Sequence, residues 1–175
     1  MCSSDLRLLC VTGGPAVVNA AMKSGKRAIC AGPGNPPVLV DGTGCLKKAA
    51  RDVIQGGGFD NNLLCIGEKQ VFVLEQHVGK FLEALKGAGA VQLNAQQLDK
   101  LAAEAFTFTK DAGGCSHPAV NRKYVGADAA VLAKVAGASA PAETPILFAQ
   151  TDRSEEHTSE LQSHLNLVCR LLLEK

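Results

Sequence analysis

The stretch LRLLCVTGGPAVVNAAMKSGKRAIC, Leu6 to Cys30, indicates the class of fold. Leu8 to Val11 form a short apolar run typical of a strand, and a Gly-Gly-Pro turn and a helix-like run follow it. A second short strand is predicted at Arg27 to Cys30. A strand, a helix and a strand in this order typically form a parallel pair with a helical crossover. The stretch therefore predicts an α/β fold.

The same alternation continues along the chain. AGPGNPPVLVD carries the glycines and prolines of a bend before a strand at Val38 to Val40. CLKKAARDVIQGGG has apolar residues at helical spacing, with Gly56 at the expected position of a C-terminal cap. VFVL, Val71 to Leu74, predicts a strand, and QHVGKFLEALKGAG and NAQQLDKLAAEAF predict two amphipathic helices. The order βαβαβαα indicates a layered α/β fold with mainly parallel strands.

The C-terminal part of the sequence is less regular. Residues 111–152 contain one predicted short helix near Ala127 to Ala136 and one strand, Ile146 to Ala149. The final block, RSEEHTSELQSHLNLVCRLLLEK, is rich in Ser, Glu and His and has no glycine or proline. Its leucines and valine would line one face of a terminal helix, at Leu161, Leu165, Val168 and Leu172.

Composition narrows the class of protein. The chain has 175 residues, of which 46% are hydrophobic, and a formal net charge of +1, so it offers no electrostatic footprint for nucleic acid. No segment approaches the roughly 20 apolar residues that cross a membrane, and we expect a soluble, cytoplasmic protein without a membrane partner. Seven scattered cysteines fit neither a paired disulfide framework nor the CxxC pairs of a zinc site. We therefore predict reduced thiols and no metal.

Both ends of the chain differ from the rest. RSEEHTSELQSH, Arg153 to His164, resembles the translation of a sequencing adapter, and CSSDL, Cys2 to Leu6, resembles the translated reverse complement of that adapter. We therefore expect residues 1–6 and 153–175 to be artefacts, to pack poorly and to be dispensable for stability. Residues 7–152 would then be an internal fragment of a longer protein.

Three motifs resemble a known family. VTGGPAVV, SGKRAICAGPGNPPVLVD and GGGFDNNLLCIGEKQVFV, in this order, resemble the CoA-acylating aldehyde dehydrogenases of ethanolamine and propanediol utilisation, within the aldehyde dehydrogenase superfamily. The resemblance extends over nearly all of residues 7–152. It implies that residues 7–30 end a Rossmann-like NAD-binding domain. It also implies that residues 31–152 form part of a three-layer α/β catalytic domain with mainly parallel strands.

The resemblance implies that Cys65 is the catalytic nucleophile. A thiolate at this position would add to an aldehyde carbonyl, and loss of hydride to NAD would leave a thioester on the protein. Such a thiolate needs nearby donors, for which Asn61, Asn62 and local backbone N–H groups are the candidates. Cys30 and Cys45 are expected to be inert core cysteines, and Cys115 with His117 supplies too few ligands for a metal site.

The resemblance also implies two cofactors. Thr12, Gly13 and Gly14 match the turn beside the nicotinamide and its ribose-phosphate side, where glycine permits close backbone approach. Ala31 stands where hydrolytic relatives carry a glutamate general base. Without that base, attack by water should slow by roughly 10²- to 10⁴-fold, so that the thiol of coenzyme A becomes the acyl acceptor. The expected product is an acyl-CoA.

Two alternatives remain open on the sequence. A hydrolytic aldehyde dehydrogenase would use the same Cys65 and NAD but release a free acid, and a second carboxylate beside the thioester would favour it. The second alternative is a non-catalytic nucleotide-binding or assembly module. A stable fold that shows no affinity for NAD would favour it. The resemblance further implies a small aldehyde as substrate, a homo-oligomeric full-length protein and an association with a bacterial microcompartment.

Overall fold

The computed structural model describes residues 6–32, 34–110, 116–150 and 167–174, with side chains excluded at 108–110, 116–119 and 167–174. The chain divides into two compact units, Met1–Gly34 and Asn35–Lys175, each described by itself below. The assignment of residues 7–30 to an NAD-binding domain and of residues 31–152 to a catalytic domain stays a prediction.

Unit 1 is a strand, a helix and a strand. β1 (Leu8–Thr12) and β2 (Arg27–Ala31) pair in parallel, and α1 (Pro15–Lys23) connects them. Pro15 occupies the start of α1, where its fixed φ suits the helix and its missing N–H leaves no bond unmade. The parallel arrangement predicted from the opening stretch is confirmed.

Unit 2 contains a five-stranded sheet in the order β3-β4-β9-β8-β5, in which every neighbouring pair is parallel. A separate antiparallel hairpin is formed by β6 and β7. The elements in chain order are β3 (Pro37–Val40), α2 (Leu46–Gly57), β4 (Gln70–Leu74), α3 (Glu75–Gly87), β5 (Val91–Leu93), α4 (Ala95–Ala105), β6 (Phe106–Lys110), β7 (Ser116–Val120), α5 (Ala129–Ala136), β8 (Leu147–Gln150) and β9 (Leu167–Glu174). Two short 3₁₀ helices lie at Phe59–Asn62 and Arg122–Tyr124.

Helices cover both faces of this sheet. Successive residues around β8 alternate between two core clusters: Ile146 and Phe148 pack in one, and Leu147 and Ala149 pack in the other. Because successive strand residues point to opposite faces, the two clusters lie on opposite sides of the sheet. One cluster includes residues of α2 and α3, and the other includes residues of α4 and α5. The three-layer α/β architecture is therefore confirmed.

The end of α2 differs from the prediction. Gly56 lies inside the helix, which continues through Gly57 and is capped by Gly58. The space that a Cβ atom at Gly56 would fill holds the carboxylate of Glu68, the far end of a flexible side chain, and the glycine does not end the helix. β5 and the β6–β7 hairpin were not predicted from the sequence, although the FTFTK segment of β6 alternates apolar and polar residues as a strand does.

The terminal block differs as well. Leu167–Glu174 form strand β9 instead of a helix, with Leu171 registered against Val71 of β4 and Gln150 of β8. Leu167, Arg170 and Leu171 pair with β8 and residues 171–174 pair with β4, so within this described strand only Leu171 has register partners on both sides. The expectation that the block packs poorly and is dispensable stays a prediction. Residues 1–5 and 151–166 lie outside the described residues, and the adapter origin of both ends stays a prediction.

Candidate active site

Cys65 lies in the connection between α2 and β4, within a segment that we call the Cys65 turn, residues 59–69. Three consecutive residues in this turn, Asp60, Asn61 and Asn62, have φ values of 50°, 51° and 57°. This left-handed region is costly for most L-residues, and Asn and Asp are the non-glycine residues that enter it most readily. The sequence Asp-Asn-Asn therefore suits an unusually tight backbone just before Cys65.

Hydrogen bonds fix this turn to the rest of unit 2. The side-chain amide of Asn61 donates to the carbonyl oxygen of Gly126 at 3.0 Å and to Oδ1 of Asp128 at 2.9 Å, just before α5. On the other side, the backbone N–H of Asn35 donates to the carbonyl oxygen of Cys65 at 2.7 Å. The half-buried Cys65 is thereby held on a turn with defined backbone geometry.

A buried cation lies under the same turn. The side chain of Lys69 is fully buried, and its ammonium donates to the carbonyl oxygens of Asn62 (3.0 Å) and Leu64 (2.9 Å) and to Oδ1 of Asn62. Burial lowers the pKa of Lys69 to about 8, although the negative charges of Cys65 and Glu68 partly offset this effect. Cys65 therefore has a positive charge in electrostatic contact with it.

The donors expected around Cys65 are arranged differently from the prediction. Asn61 has both amide hydrogens engaged by Gly126 and Asp128, so it has none left for a thiolate. Asn62 is buried; its Oδ1 accepts from Lys69, and its Nδ2 has no partner among the described residues. Sequence analysis missed Lys69, although a signal was present. Lys69, Val71 and Val73 are all buried, so the alternation of β4, extended back by one residue, indicates an inward lysine.

Cys45 is not the inert core cysteine that was expected. It is exposed at the N-cap of α2, and the backbone N–H groups of Lys48 and Lys47 lower the pKa of its thiol. Cys30 is half-buried. Cys115 and the side chain of His117 lie outside the described residues. Among the residues that the structure describes, no three His, Cys, Asp or Glu side chains cluster as metal ligands would.

The predicted cofactor residues lie together in unit 1. Thr12 ends β1 and pairs in register with Ala31, which ends β2. The backbone N–H of Gly13 donates to the carbonyl oxygen of Ala31 at 3.1 Å, and Gly14 is the N-cap of α1. These residues form the carboxyl edge of a parallel strand pair at a helix N-terminus, which is where α/β folds bind phosphate-bearing ligands. Thr12 and Gly14 are exposed there.

Curated proteins of known activity resemble this chain in sequence. Propanal dehydrogenase (CoA-propanoylating) of Citrobacter freundii is 39% identical over 148 residues, which are 85% of this chain and 30% of that protein. Acetaldehyde dehydrogenase (acetylating) EutE of Escherichia coli is 41% identical over 145 residues, 82% of this chain and 30% of that protein. The chain thus spans about a third of the length of these relatives. No family model matches the sequence.

Solved structures agree with this resemblance. A propionaldehyde dehydrogenase from the Clostridium phytofermentans fucose utilisation bacterial microcompartment superposes with a TM-score of 0.82 at 34% identity, covering 99% of this chain and 38% of its own. The Rhodopseudomonas palustris propionaldehyde dehydrogenase with bound propionyl-CoA gives a TM-score of 0.79 at 34% identity, covering 97% and 36%.

The chain therefore has an α/β fold. Its sequence and structure resemble those of enzymes that acylate coenzyme A. Over the matched residues the chain is similar to the CoA-acylating aldehyde dehydrogenases, and the resemblance to the ethanolamine and propanediol utilisation type is confirmed. No helix in the described parts of the chain is both long enough and apolar enough to span a membrane.

Proposed function

We propose that the full-length protein containing residues 7–152 converts a small aldehyde, NAD and coenzyme A to an acyl-CoA and NADH, with Cys65 as nucleophile. The observation that carries this proposal is the match to CoA-acylating relatives at 39–41% identity across the segment that contains Cys65. The fixed backbone of the Cys65 turn and the cation beneath it support the assignment. A nucleophilic thiolate needs a defined position and nearby positive charge.

In the proposed reaction, the Cys65 sulfur forms a C–S bond to the carbonyl carbon, and the oxygen of the hemithioacetal then re-forms its double bond as hydride leaves. When bound, NAD supplies the hydride acceptor. The thiol of coenzyme A attacks the cysteine thioester that remains and gives up its proton; its sulfur forms the new C–S bond as the bond to Cys65 breaks, which yields the acyl-CoA and the Cys65 thiolate. Cys65 therefore takes part in both halves of the reaction.

Unit 1 fits a role beside the dinucleotide. Thr12, Gly13 and Gly14 would hold its ribose-phosphate side, because the exposed glycine at the start of α1 lets a ligand reach the helix N-terminus. A Cβ atom at Gly14 would meet no atom within 4 Å, so the glycine is not required by packing within the chain. One structural neighbour, an engineered glycolyl-CoA reductase, has NADP⁺ bound, so NAD for this protein is part of the proposal.

Ala31 supports acyl transfer to coenzyme A rather than to water. Its methyl group cannot accept a proton, and it lies beside the cofactor turn, in register with Thr12. The hydrolytic alternative would require a different base. The two reactions are separated by measuring NADH formation with and without coenzyme A, together with free acid.

The test of Cys65 uses the full-length protein and its Cys65→Ala variant. We expect the variant to lose acyl-CoA formation by at least about 10³-fold, because the covalent step requires the sulfur, and to bind NAD as before. Cys30→Ala is the matched control and should keep turnover. Retained acyl-CoA formation in Cys65→Ala would place the nucleophile elsewhere, and equally fast turnover without coenzyme A would favour the hydrolytic reaction.

The proposal also concerns the oligomeric state and the cellular location of the full-length protein. We propose a cytoplasmic homo-oligomer that associates with a bacterial microcompartment. Support comes from the neighbour of the Clostridium phytofermentans fucose utilisation microcompartment. Gel filtration of the full-length protein, and its co-sedimentation with microcompartment shells, would test these two points separately.

A further inference from the structure

Lys69 is held in a site built for an ammonium ion. Its Nζ faces three acceptors: the carbonyl oxygen and Oδ1 of Asn62, and the carbonyl oxygen of Leu64. A charged lysine has three N–H donors and no lone pair, so these three oxygens match it fully. A neutral amine has only two N–H groups and would leave one buried oxygen without a donor. Below its pKa of about 8, Lys69 is protonated and all three oxygens have a donor.

The three bonds join two parts of the Cys65 turn. Asn62 is the last of the three left-handed residues, and Leu64 directly precedes Cys65. A left-handed non-glycine residue persists only where its surroundings determine its conformation. The ammonium group of Lys69 helps to fix this conformation, because its Nζ atom donates hydrogen bonds to the backbone carbonyls of both Asn62 and Leu64. Movement of Lys69 would free the segment that carries Cys65.

We propose that Lys69 is a positioning residue, whose buried ammonium holds Asn62 and Leu64 so that the Cys65 sulfur is presented to the carbonyl of the substrate. This inference rests on the proposed role of Cys65 as nucleophile. Lys69 acts through the turn and contacts neither substrate nor cofactor in this role. Its effect therefore falls on the acylation rate rather than on the binding of NAD or coenzyme A.

The arrangement is sensitive to alkaline pH. The pKa of Lys69 is about 8, because burial outweighs the opposing effect of the charges on Cys65 and Glu68. As pH rises through about 8, Lys69 loses its proton and one of the three hydrogen bonds is lost. Turnover should therefore fall on the alkaline side of its pH profile, at a pH set by Lys69.

The first experiment measures kcat and KM of the full-length protein and its Lys69→Met variant. Met is of similar length but carries no charge or donor. We expect kcat to fall by about 100-fold, the loss typical of a displaced reacting group, while KM for NAD and coenzyme A is unchanged. Lys80→Met, on the exposed surface of α3, is the control and should behave as the parent. Parental kcat in Lys69→Met overturns the proposal.

The second experiment uses Lys69→Arg and the unsubstituted protein. A guanidinium does not deprotonate in the accessible range, so Lys69→Arg should lose the alkaline limb of the kcat profile even if its kcat is lower. If kcat of Lys69→Arg still falls at the same alkaline pH as kcat of the parent, that result overturns the proposal. So does an unsubstituted protein whose kcat is flat through pH 9, a result that needs no variant to fold.

The outcomes separate this inference from the proposed function. If Cys65→Ala keeps its turnover, the proposed nucleophile is wrong and the role of Lys69 falls with it. If Cys65→Ala is inactive but Lys69→Met and Lys69→Arg both keep the kcat and pH profile of the parent, only the positioning role is wrong. Circular dichroism of each variant accompanies the kinetics, so that a loss of fold is not counted as a loss of positioning.

Discussion

At the scale of single residues, the cysteines of this chain have different surroundings. Cys45 and Cys10 are both exposed, but only Cys45 caps a helix, where the N–H groups of Lys48 and Lys47 lower the pKa of its thiol. A helix N-terminus and nearby basic side chains favour the thiolate, which is the form that reacts with alkylating agents. Exposure and reactivity are therefore separate properties here.

We expect iodoacetamide to modify Cys45 several-fold faster than Cys10 at pH 7. Mass spectrometry of the peptides that contain each cysteine measures both rates in one sample. Equal rates at pH 7 would show that the start of α2 does not stabilise the thiolate.

Lys69 also links stability to pH. Burial lowers the pKa of Lys69 from 10.5 to about 8, so between these values the unfolded chain binds more protons than the folded chain. Folding stability contributed by this group therefore rises with pH across that window, and it is lowest below pH 8. Relative to Lys69→Met, the free energy of unfolding should increase by about 2 kcal/mol from pH 7 to pH 9.5. Urea titrations of both proteins at the two pH values measure this difference, and a parallel pH dependence would contradict the assigned burial.

At the scale of elements, the sequence predicts the strands and helices whose apolar residues have a strong periodicity. The prediction is wrong or incomplete where contacts with distant residues determine the structure. The β8 segment and α2 through α5 have clear apolar patterns, and each was found. Gly56 resembled a cap, but it lies inside α2 beside the carboxylate of Glu68, which is twelve residues away in the sequence. No local pattern indicates such a contact. The inward alternation of Val71 and Val73 could have indicated a buried Lys69, but no local pattern indicates its oxygen partners on Asn62 and Leu64.

β9 is the element in which sequence and structure differ most. Its residues have helical spacing of apolar side chains, yet their backbone pairs with β4 and β8 in the middle of the sheet. Without β9, backbone N–H and C=O groups on the facing edges of β4 and β8 would lose their hydrogen-bond partners. A ladder of backbone bonds thus outweighs the local helical pattern.

Replacing Leu171 with proline tests this pairing. Proline has no N–H for the ladder and is not tolerated in a central strand, so we expect a loss of a few kcal/mol in stability. Leu171→Val keeps the N–H and favours a strand, and it should be close to neutral. Urea midpoints of the two variants give the comparison. Equal midpoints would support the expectation that the terminal block is an adapter-derived segment outside the native packing.

At the scale of the whole molecule, each unit leaves large apolar side chains exposed. Ile29 and Met22 of unit 1 and Phe59 and Ile66 of unit 2 are each more than 60% exposed. Scattered exposed apolar residues are common in soluble proteins, and a contiguous apolar patch is what indicates a covered surface. The relatives, of which this chain spans about 30%, contain much more chain.

We expect the 175-residue chain alone to show no aldehyde oxidation with NAD and coenzyme A. Unit 1 supplies two strands and one helix, whereas a dinucleotide is held across two βαβαβ halves. NADH formation and NAD binding by calorimetry measure this directly, with the full-length protein as the positive control. Turnover by the short chain that disappears in its Cys65→Ala variant would contradict this expectation.

The left-handed backbone at Asp60 changes what counts as a conservative replacement. Alanine is ordinarily the mild substitution and glycine the disruptive one. At Asp60 the φ of 50° reverses this order, because glycine adopts that conformation without steric cost and a Cβ-bearing residue such as alanine does not. An alanine scan of the segment before Cys65 would thus report backbone strain at this position, and it would overstate the importance of the Asp60 carboxylate. Only a glycine scan alongside it separates the side chain from the conformation it occupies.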